Sequence, residues 1–324
     1  MTGMTGDLVV RTLGESEARD VFTSLHDPGA VGGALLGRPY NTLRGGGEHR
    51  PEWTWVAERA GHVVARAACW AGTGDERPMV IDWFDFAPGE HDAGVRLLRA
   101  MSPKVEYELL LPPGWRTDPS VRAAARARID AASDAGWTPL VERFRYLWTP
   151  ECGLPERPGR LAFRPEPDDE VVLDVLRQIE HGTLDAHARQ ALDAEHVGEG
   201  VTAAGIERAA REDLGHLRWM ASYGGRKWWR LAYTPDGRTA GVQVPGRTPS
   251  GLAVGFIGVV PGQRGNGYAY DLLAECTRQL AAEGATSIAA STDLGNAPMA
   301  AAFAKAGYPV VQHRFCMSPP DGRT

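Results

Sequence analysis

Two stretches of this chain bring together residue types able to do chemistry. In one, an apolar run over 251–260 breaks at Pro261 into Gly262-Gln263-Arg264-Gly265-Asn266-Gly267-Tyr268-Ala269. Glycines between a strand and a helix let the backbone approach a ligand closely, and the unpaired N–H groups that open a helix form an anion site suited to phosphate. The other stretch is Glu180-His181-Gly182-Thr183-Leu184-Asp185-Ala186-His187, whose carboxylates and imidazoles could take up or deliver protons. His181, Asp185 and His187 also have a helix-turn spacing open to metal, but no fourth partner or cysteine stands near them, and no metal is expected. A serine nucleophile is not expected either, because no Gly-x-Ser-x-Gly elbow occurs.

The elements that must carry these groups show in the periodicity. Ala269, Leu272, Leu273, Cys276 and Leu280 make one helical stripe facing a core, which leaves Asp271, Glu275, Arg278 and Gln279 for the wet side. That helix begins near Gly267 and follows a long strand through Val260. Further strands are expected at 161–165, 227–233, 239–244 and 286–291, and helices across 168–191 and 203–219. Pro235-Asp236-Gly237 between two β-rich runs signals a hairpin. Trp228 and Trp229 would then put aromatics on both faces of a strand, as if it were covered on both sides.

Two phosphate-binding motifs fail on the residues present. A nucleotide P-loop needs Lys and then Ser or Thr after its second glycine, where this loop has Tyr268-Ala269. A dinucleotide fold puts its glycines near the start of a βαβ unit, whereas this turn sits in the last quarter of the chain. Instead, Val259-x-Pro261-x-x-Arg264-Gly265-Asn266-Gly267-Tyr268-Ala269 resembles the acyl-CoA signature of the GNAT acyltransferase superfamily, whose loop reads Arg/Gln-x-x-Gly-x-Gly/Ala. A second block of that superfamily follows in order: the strand at 286–291, Asn296-Ala297-Pro298-Met299, Phe303 and Ala306-Gly307-Tyr308.

The resemblance implies direct attack of an amine on a thioester, with no covalent enzyme intermediate. Acetyl-CoA would be held by the N–H groups from Arg264 through Gly265, Asn266, Gly267, Tyr268 and Ala269, by the helix start, and by the Arg264 guanidinium. The N–H of Val259 or Val260 would face the developing oxyanion, a role worth on the order of 3 kcal/mol. Asn296 would reach the pantetheine arm, although Asn296 and Asp293 both stand where a helix start needs a cap, which is the favoured role for Asp293. Phe303 occupies the cofactor-side position where many members carry a tyrosine that protonates the thiolate. Phenylalanine cannot do so, which leaves water, Ser291, Thr292 or Tyr308. No acid lies on 252–260, where some members place their base, so the candidates are Glu180, Asp185 and His187. An excess of Asp and Glu over 166–213 would attract a cationic amine if it faces the cleft.

The 324 residues suit two domains, and a net charge of −6 argues against nucleic acid as a partner. No run approaches a membrane span and no export signal opens the sequence, so a cytoplasmic protein is expected, away from membranes, with Cys69, Cys152, Cys276 and Cys316 reduced. The first half repeats the second. Residues 8–12 echo 161–165, and Asp134-Ala135-Gly136-Trp137 with Arg143-Phe144 echoes Lys305-Ala306-Gly307-Tyr308 with Arg314-Phe315. Where the second half has its glycine loop, the first aligns Asp92-Ala93-Gly94-Val95-Arg96, with charge and bulk against any diphosphate.

We therefore expect an α+β protein of two tandem GNAT domains, each a mixed, mostly antiparallel sheet flanked by helices. Residues 1–150 would form a degenerate domain that does not take CoA, 151–159 a Pro/Gly-rich linker, and 160–324 the acetyl-CoA domain. Tandem proteins of this look include mycothiol-synthase-like enzymes and N-acetyltransferases of secondary metabolism, among them a phosphonate-antibiotic enzyme. The expected partner is a small-molecule amine, with room for a homodimer. The rival readings are another donor, a longer acyl-CoA or an aminoacyl-tRNA, and a non-catalytic acyl-CoA sensor. Calorimetry with acetyl-CoA should give one molecule bound per chain, unchanged by substitution at Gly94 or Arg96; two per chain would make the first half competent as well.

Overall fold

The computed structural model describes residues 6–26, 29–72, 74–193 and 201–320. Along the first half run β1 (Leu8–Thr12), α1 (Ala18–Thr23), β2 (His49–Arg59), β3 (His62–Trp70) and β4 (Val80–Phe86). Next come α2 (His91–Ala100), β5 (Glu106–Leu111), α3 (Pro119–Asp134) and β6 (Thr138–Trp148). The second half holds β7 (Ala162–Pro165), α4 (Asp169–Glu180), α5 (Ala186–Asp193), α6 (Ala203–Ser222), β8 (Arg230–Tyr233) and β9 (Thr239–Thr248). It closes with β10 (Gly251–Val259), α7 (Tyr268–Ala282), β11 (Ile288–Asp293), α8 (Ala297–Lys305) and β12 (Val310–Ser318).

The chain divides into two units, Met1–Glu142 with Gln312–Thr324, and Arg143–Val311. Each repeats one topology. In the first, β1 to β4 pair antiparallel in order, β4 meets β5 in parallel, and β12 lies antiparallel on β5. In the second, β7 to β10 pair antiparallel, β10 meets β11 in parallel, and β6 lies antiparallel on β11. The internal repeat legible in the sequence is thus a repeat of architecture, mostly antiparallel with one parallel step.

The units are drawn differently from the expected limits of 1–150, 151–159 and 160–324. Residues 143–148 pair with β11, from Asp293↔Arg143 to Ile288↔Trp148, whereas the end of the chain pairs with β5, from His313↔Leu111 to Met317↔Tyr107. Each half supplies the closing strand of the other unit. Both strands follow the same Ala-Gly-aromatic step, so the sequence repeat does not tell which sheet each joins. Nor is the linker a loose spacer. Arg157 pairs with Glu275 at 2.8 Å, Arg160 with Asp271, and the Pro155 carbonyl accepts from Arg278 Nε at 2.6 Å, so the segment lies strapped along α7. That strapping buries Asp271, expected on the wet side, to 3% exposure.

In the first unit α2 and α3 bury Val95, Leu97, Leu98, Ala125 and Ala131 against the strands, while Phe22 and Tyr40 stack over Ala68 and Trp83 in a second cluster. In the second unit α7 and α8 form one core with Tyr146, Trp148 and Trp228, and α4 and α6 form another with Trp229, Leu231 and Val242. The two tryptophans do serve separate cores, but from a short 3-10 turn over Arg226–Trp228 rather than a strand, which starts only at Arg230. The Pro-Asp-Gly hairpin forms as expected, closed by Thr234 N donating to the Arg238 carbonyl at 2.9 Å. No helix among the described residues is long and apolar enough to cross a membrane.

One buried ionic network anchors the first unit. Asp85, 1% exposed, accepts from Arg66 Nε at 3.1 Å and Arg128 Nη2 at 2.7 Å, and Arg66 also donates to the carbonyls of Phe22 and Leu25. Removing one partner from such a site leaves uncompensated buried charge. Asp85→Ala should destabilise the protein by about 3–5 kcal/mol in thermal or denaturant unfolding.

Candidate active site

The glycine loop has a backbone geometry that suits an anion. Gly265 and Gly267 have φ of 83° and 74°, a left-handed conformation in which any side chain would be strained. Gly267 is the N-cap of α7, and no side chain caps that helix, so its opening N–H groups keep their positive end for a ligand. Arg160, reaching over from the linker, donates to the carbonyls of Asn266 at 2.8 Å and Gly267 at 3.3 Å while pairing with Asp271, and its guanidinium lies 5.2 Å from the Tyr268 ring centroid. With their carbonyls tied to Arg160, these peptides have a fixed orientation.

Arg264 behaves differently from the expectation that its guanidinium holds the diphosphate. Nη1 donates to the carbonyls of His181 at 2.8 Å and Gly182 at 3.0 Å, Nη2 to Ile179 at 2.7 Å and Nε to Val259 at 3.2 Å. The end of α4 leaves carbonyls without intrahelical partners, and they take up the cation that the sequence reading assigned to phosphate. One side chain thus joins the end of β10 to the turn that follows Glu180.

β10 parts from β11 over most of its length. The two strands share only the pair Ala253↔Ala289, and a bulge at Gly255 breaks the register with β9 between Val254 and Phe256. Beyond it, Val260 N donates to the Ala240 carbonyl at 3.0 Å, which removes Val260 as an oxyanion donor. Strand alternation turns the Val259 N–H to the other edge, toward the opened side.

Several other expected site residues have local work. Asn296 caps α8 by accepting from Met299 N at 3.3 Å, the alternative to its cofactor role. Phe303 is 1% exposed and stacks on Tyr146 with ring centroids 4.2 Å apart, so it belongs to the core rather than the cofactor surface. Tyr308 hydrogen-bonds Thr277 at 2.7 Å inside the same core, and burial pushes its phenol well up, so it cannot supply the missing acid. Asp293 does not cap α8; it is buried, accepts from Ala186 N at 2.7 Å and pairs with Arg143 at 3.0 Å.

Among the three proton-transfer candidates, Asp185 caps α5 by accepting from His187 N and Ala188 N, and it meets Arg143 at 3.3 Å. His187 Nδ1 stands 3.9 Å from that carboxylate. His181, Asp185 and His187 do not gather into a ligand set. Glu180 is the exception. It is 1% exposed, its Oε2 has no hydrogen-bond partner, and burial, helped by the Asp185 charge, raises its pKa against the opposing pull of Asp213 and Arg264. Asp213 of α6 hydrogen-bonds Glu180 and is itself pushed well above the usual carboxylate range by burial and by the charges of Glu180 and Asp185. Sequence reasoning missed Asp213 because a lone acid on a charged helix carries no sign of what it faces. Other acids of that region are paired on the surface, Asp169 with Arg218 and Arg226, and Glu207 with Arg177 and Arg211.

Residues 204–308 match the family model described as Acetyltransferase (GNAT) family. No curated protein matches the sequence. Among solved structures, a GCN5-related N-acetyltransferase from Sphaerobacter thermophilus superposes with a TM-score of 0.52 at 15% identity, covering 96% of this chain and 94% of its own. A GCN5-related glucosamine N-acetyltransferase region of a fungal multi-domain GH3 β-N-acetylglucosaminidase gives the same TM-score at 12% identity, covering 97% of this chain and 38% of its own. At such identities the likeness is one of fold, and it extends over both halves. Because Arg160 holds the loop and touches none of the proton-transfer candidates, Arg160→Ala should raise KM for acetyl-CoA about tenfold, a loss of about 1.4 kcal/mol, with kcat nearly unchanged in steady-state kinetics.

Proposed function

We propose that this chain, whose C-terminal region is a domain of the GNAT acetyltransferase family, moves an acetyl group from acetyl-CoA to the amine of a small molecule within a ternary complex. The observation that carries the reading is the opened edge of β10 beside a loop whose left-handed glycines and uncapped helix start suit a diphosphate. The loop N–H groups and the start of α7 hold the donor, and the Val259 N–H polarises the thioester carbonyl.

The amine lone pair forms the C–N bond, the C–S bond breaks, and CoA leaves as thiolate. The proton lost by the nitrogen passes to a carboxylate, and Glu180 is the group placed to accept it. It stands one residue from Ile179, whose carbonyl shares the Arg264 guanidinium with Val259. Phe303 has no hydroxyl and the Tyr308 hydroxyl is engaged with Thr277, which leaves water, Ser291 or Thr292 to protonate the thiolate. Acid groups around the turn after α4 favour a cationic acceptor, which gives one proton to water before its lone pair attacks.

The first unit takes no donor of its own. Glu90 is the N-cap residue of α2, Asp92 lies in its first turn paired with Arg96 at 3.0 Å, and these acids oppose an anion there.

Glu180→Gln should lower kcat on the order of 10²-fold, with little change in acetyl-CoA affinity. The wild-type rate should rise with pH through a limb above the usual carboxylate range, because burial and Asp185 raise the Glu180 pKa and the base works only when ionised. Thiol release from acetyl-CoA with a panel of primary amines checks both. Acetyl-CoA that binds in calorimetry but is never turned over would favour the sensor reading instead.

A further inference from the structure

The Glu180 side chain is closed off from solvent, yet the reaction above asks it to receive a proton from a bound amine. Its one side-chain partner is Asp213, the less buried of the two. Two carboxyls in hydrogen-bond contact cannot both be anions at low cost, so one proton resides between them. The groups facing the pair are Asp185 from the start of α5, Glu212 from α6 and the Arg264 guanidinium from the loop. Farther out, Arg143 pairs with Asp185 at 3.3 Å and blunts its charge. Burial is thus not offset by an ion pair on the pair itself, and Glu180 Oε2 is left without any partner.

We infer that Asp213 and Glu180 act as one proton acceptor, Asp213 relaying the proton of the attacking amine to the buried Glu180. The pair begins with one proton and a single negative charge. When the C–N bond forms and the C–S bond breaks, the proton released by nitrogen enters the pair, which becomes neutral, and the negative charge departs on the CoA thiolate. The second proton then returns to water. This inference rests on the acetyl-transfer reading for its chemistry but not for its protonation.

Protonation is tested without substrate, by thermal melting of the full chain from pH 5 to 9. Both carboxyls have folded pKa values raised above their unfolded ones, so the stability their protons contribute is present at low pH and lost as pH rises through the folded values. Asp213→Asn keeps a hydrogen-bond donor to Glu180 and has no second charge to develop. Its Tm relative to wild type should therefore climb by about 3 °C across that range. A gap that does not change with pH overturns the shared proton.

The relay is tested by kinetics with acetyl-CoA as donor and methylamine, putrescine, spermidine and glucosamine as probe acceptors. Asp213→Asn and Glu180→Gln should each lower kcat on the order of 10²-fold without changing acetyl-CoA affinity, and the double variant should be no slower than either, as for residues acting as a unit. Multiplicative losses, or wild-type kcat in Asp213→Asn, overturn the relay. Failure of wild type to bind acetyl-CoA would sink the transferase reading and the relay with it, while the melting curves still decide the shared proton separately.

Discussion

Four carbonyl oxygens converge on the guanidinium of Arg264: those of Ile179, His181 and Gly182 at the end of α4, and that of Val259 at the end of β10. A helix end exposes carbonyls that must find donors, and an arginine offers five in a planar fork. The consequence reaches past local satisfaction. The same contact sets where Glu180 and the turn after it stand with respect to the strand whose opened edge would receive the thioester. If Arg264 were spent on a phosphate instead, α4 would need another C-terminal partner and Glu180 would lose its anchor to β10.

The loop answers to the same constraint from its other side. Arg160 occupies the carbonyls of Asn266 and Gly267, and Arg264 that of Val259, so both cations act on backbone oxygens. Peptides carry their donor and acceptor on opposite edges. Fixing the oxygens therefore fixes the direction of the N–H groups without adding a flexible charge to the binding surface. A preorganised backbone cradle of this kind loses little entropy when a ligand arrives, because Gly265 and Gly267 already sit in the left-handed conformation it needs.

Much of this was legible in the sequence, and the misses share a cause. The strand, glycine turn and helix over 251–282 were readable because periodicity and glycine spacing are local. So was the hairpin at Pro235, and so was a cap signal over 293–296, although the sequence favours Asp293 for the cap and Asn296 for the cofactor, whereas Asn296 is the residue that caps α8. What could not be read depends on partners distant in sequence. Asp271 follows a wet-face pattern on α7, and only the arrival of Arg160 buries it. Val259 and Val260 are indistinguishable until the register with β9 assigns Val260 to the Ala240 carbonyl. The exchange of β6 and β12 between units is invisible for a further reason: both strands follow the same Ala-Gly-aromatic step, and only pairing geometry tells them apart.

Asp213 shows the same limit at the centre of the chemistry. On α6 it sits in the run Arg211-Glu212-Asp213-Leu214, where three charged residues in a row read as a solvated helix face, and nothing nearby signals that its carboxyl meets another acid. Its meaning comes from the packing of α6 on α4, which buries Leu214 and Leu217 with Val172 and Leu176 and so brings Asp213 to Glu180. Apolar burial there is the larger energetic term, at roughly 1.5–3 kcal/mol for each such side chain. It is enough to hold two carboxyls together at the cost of a single retained proton. A hydrophobic interface can thus impose a protonation state that neither acid would adopt alone, and a base built in this way needs no residue on the strand where the sequence was searched for one.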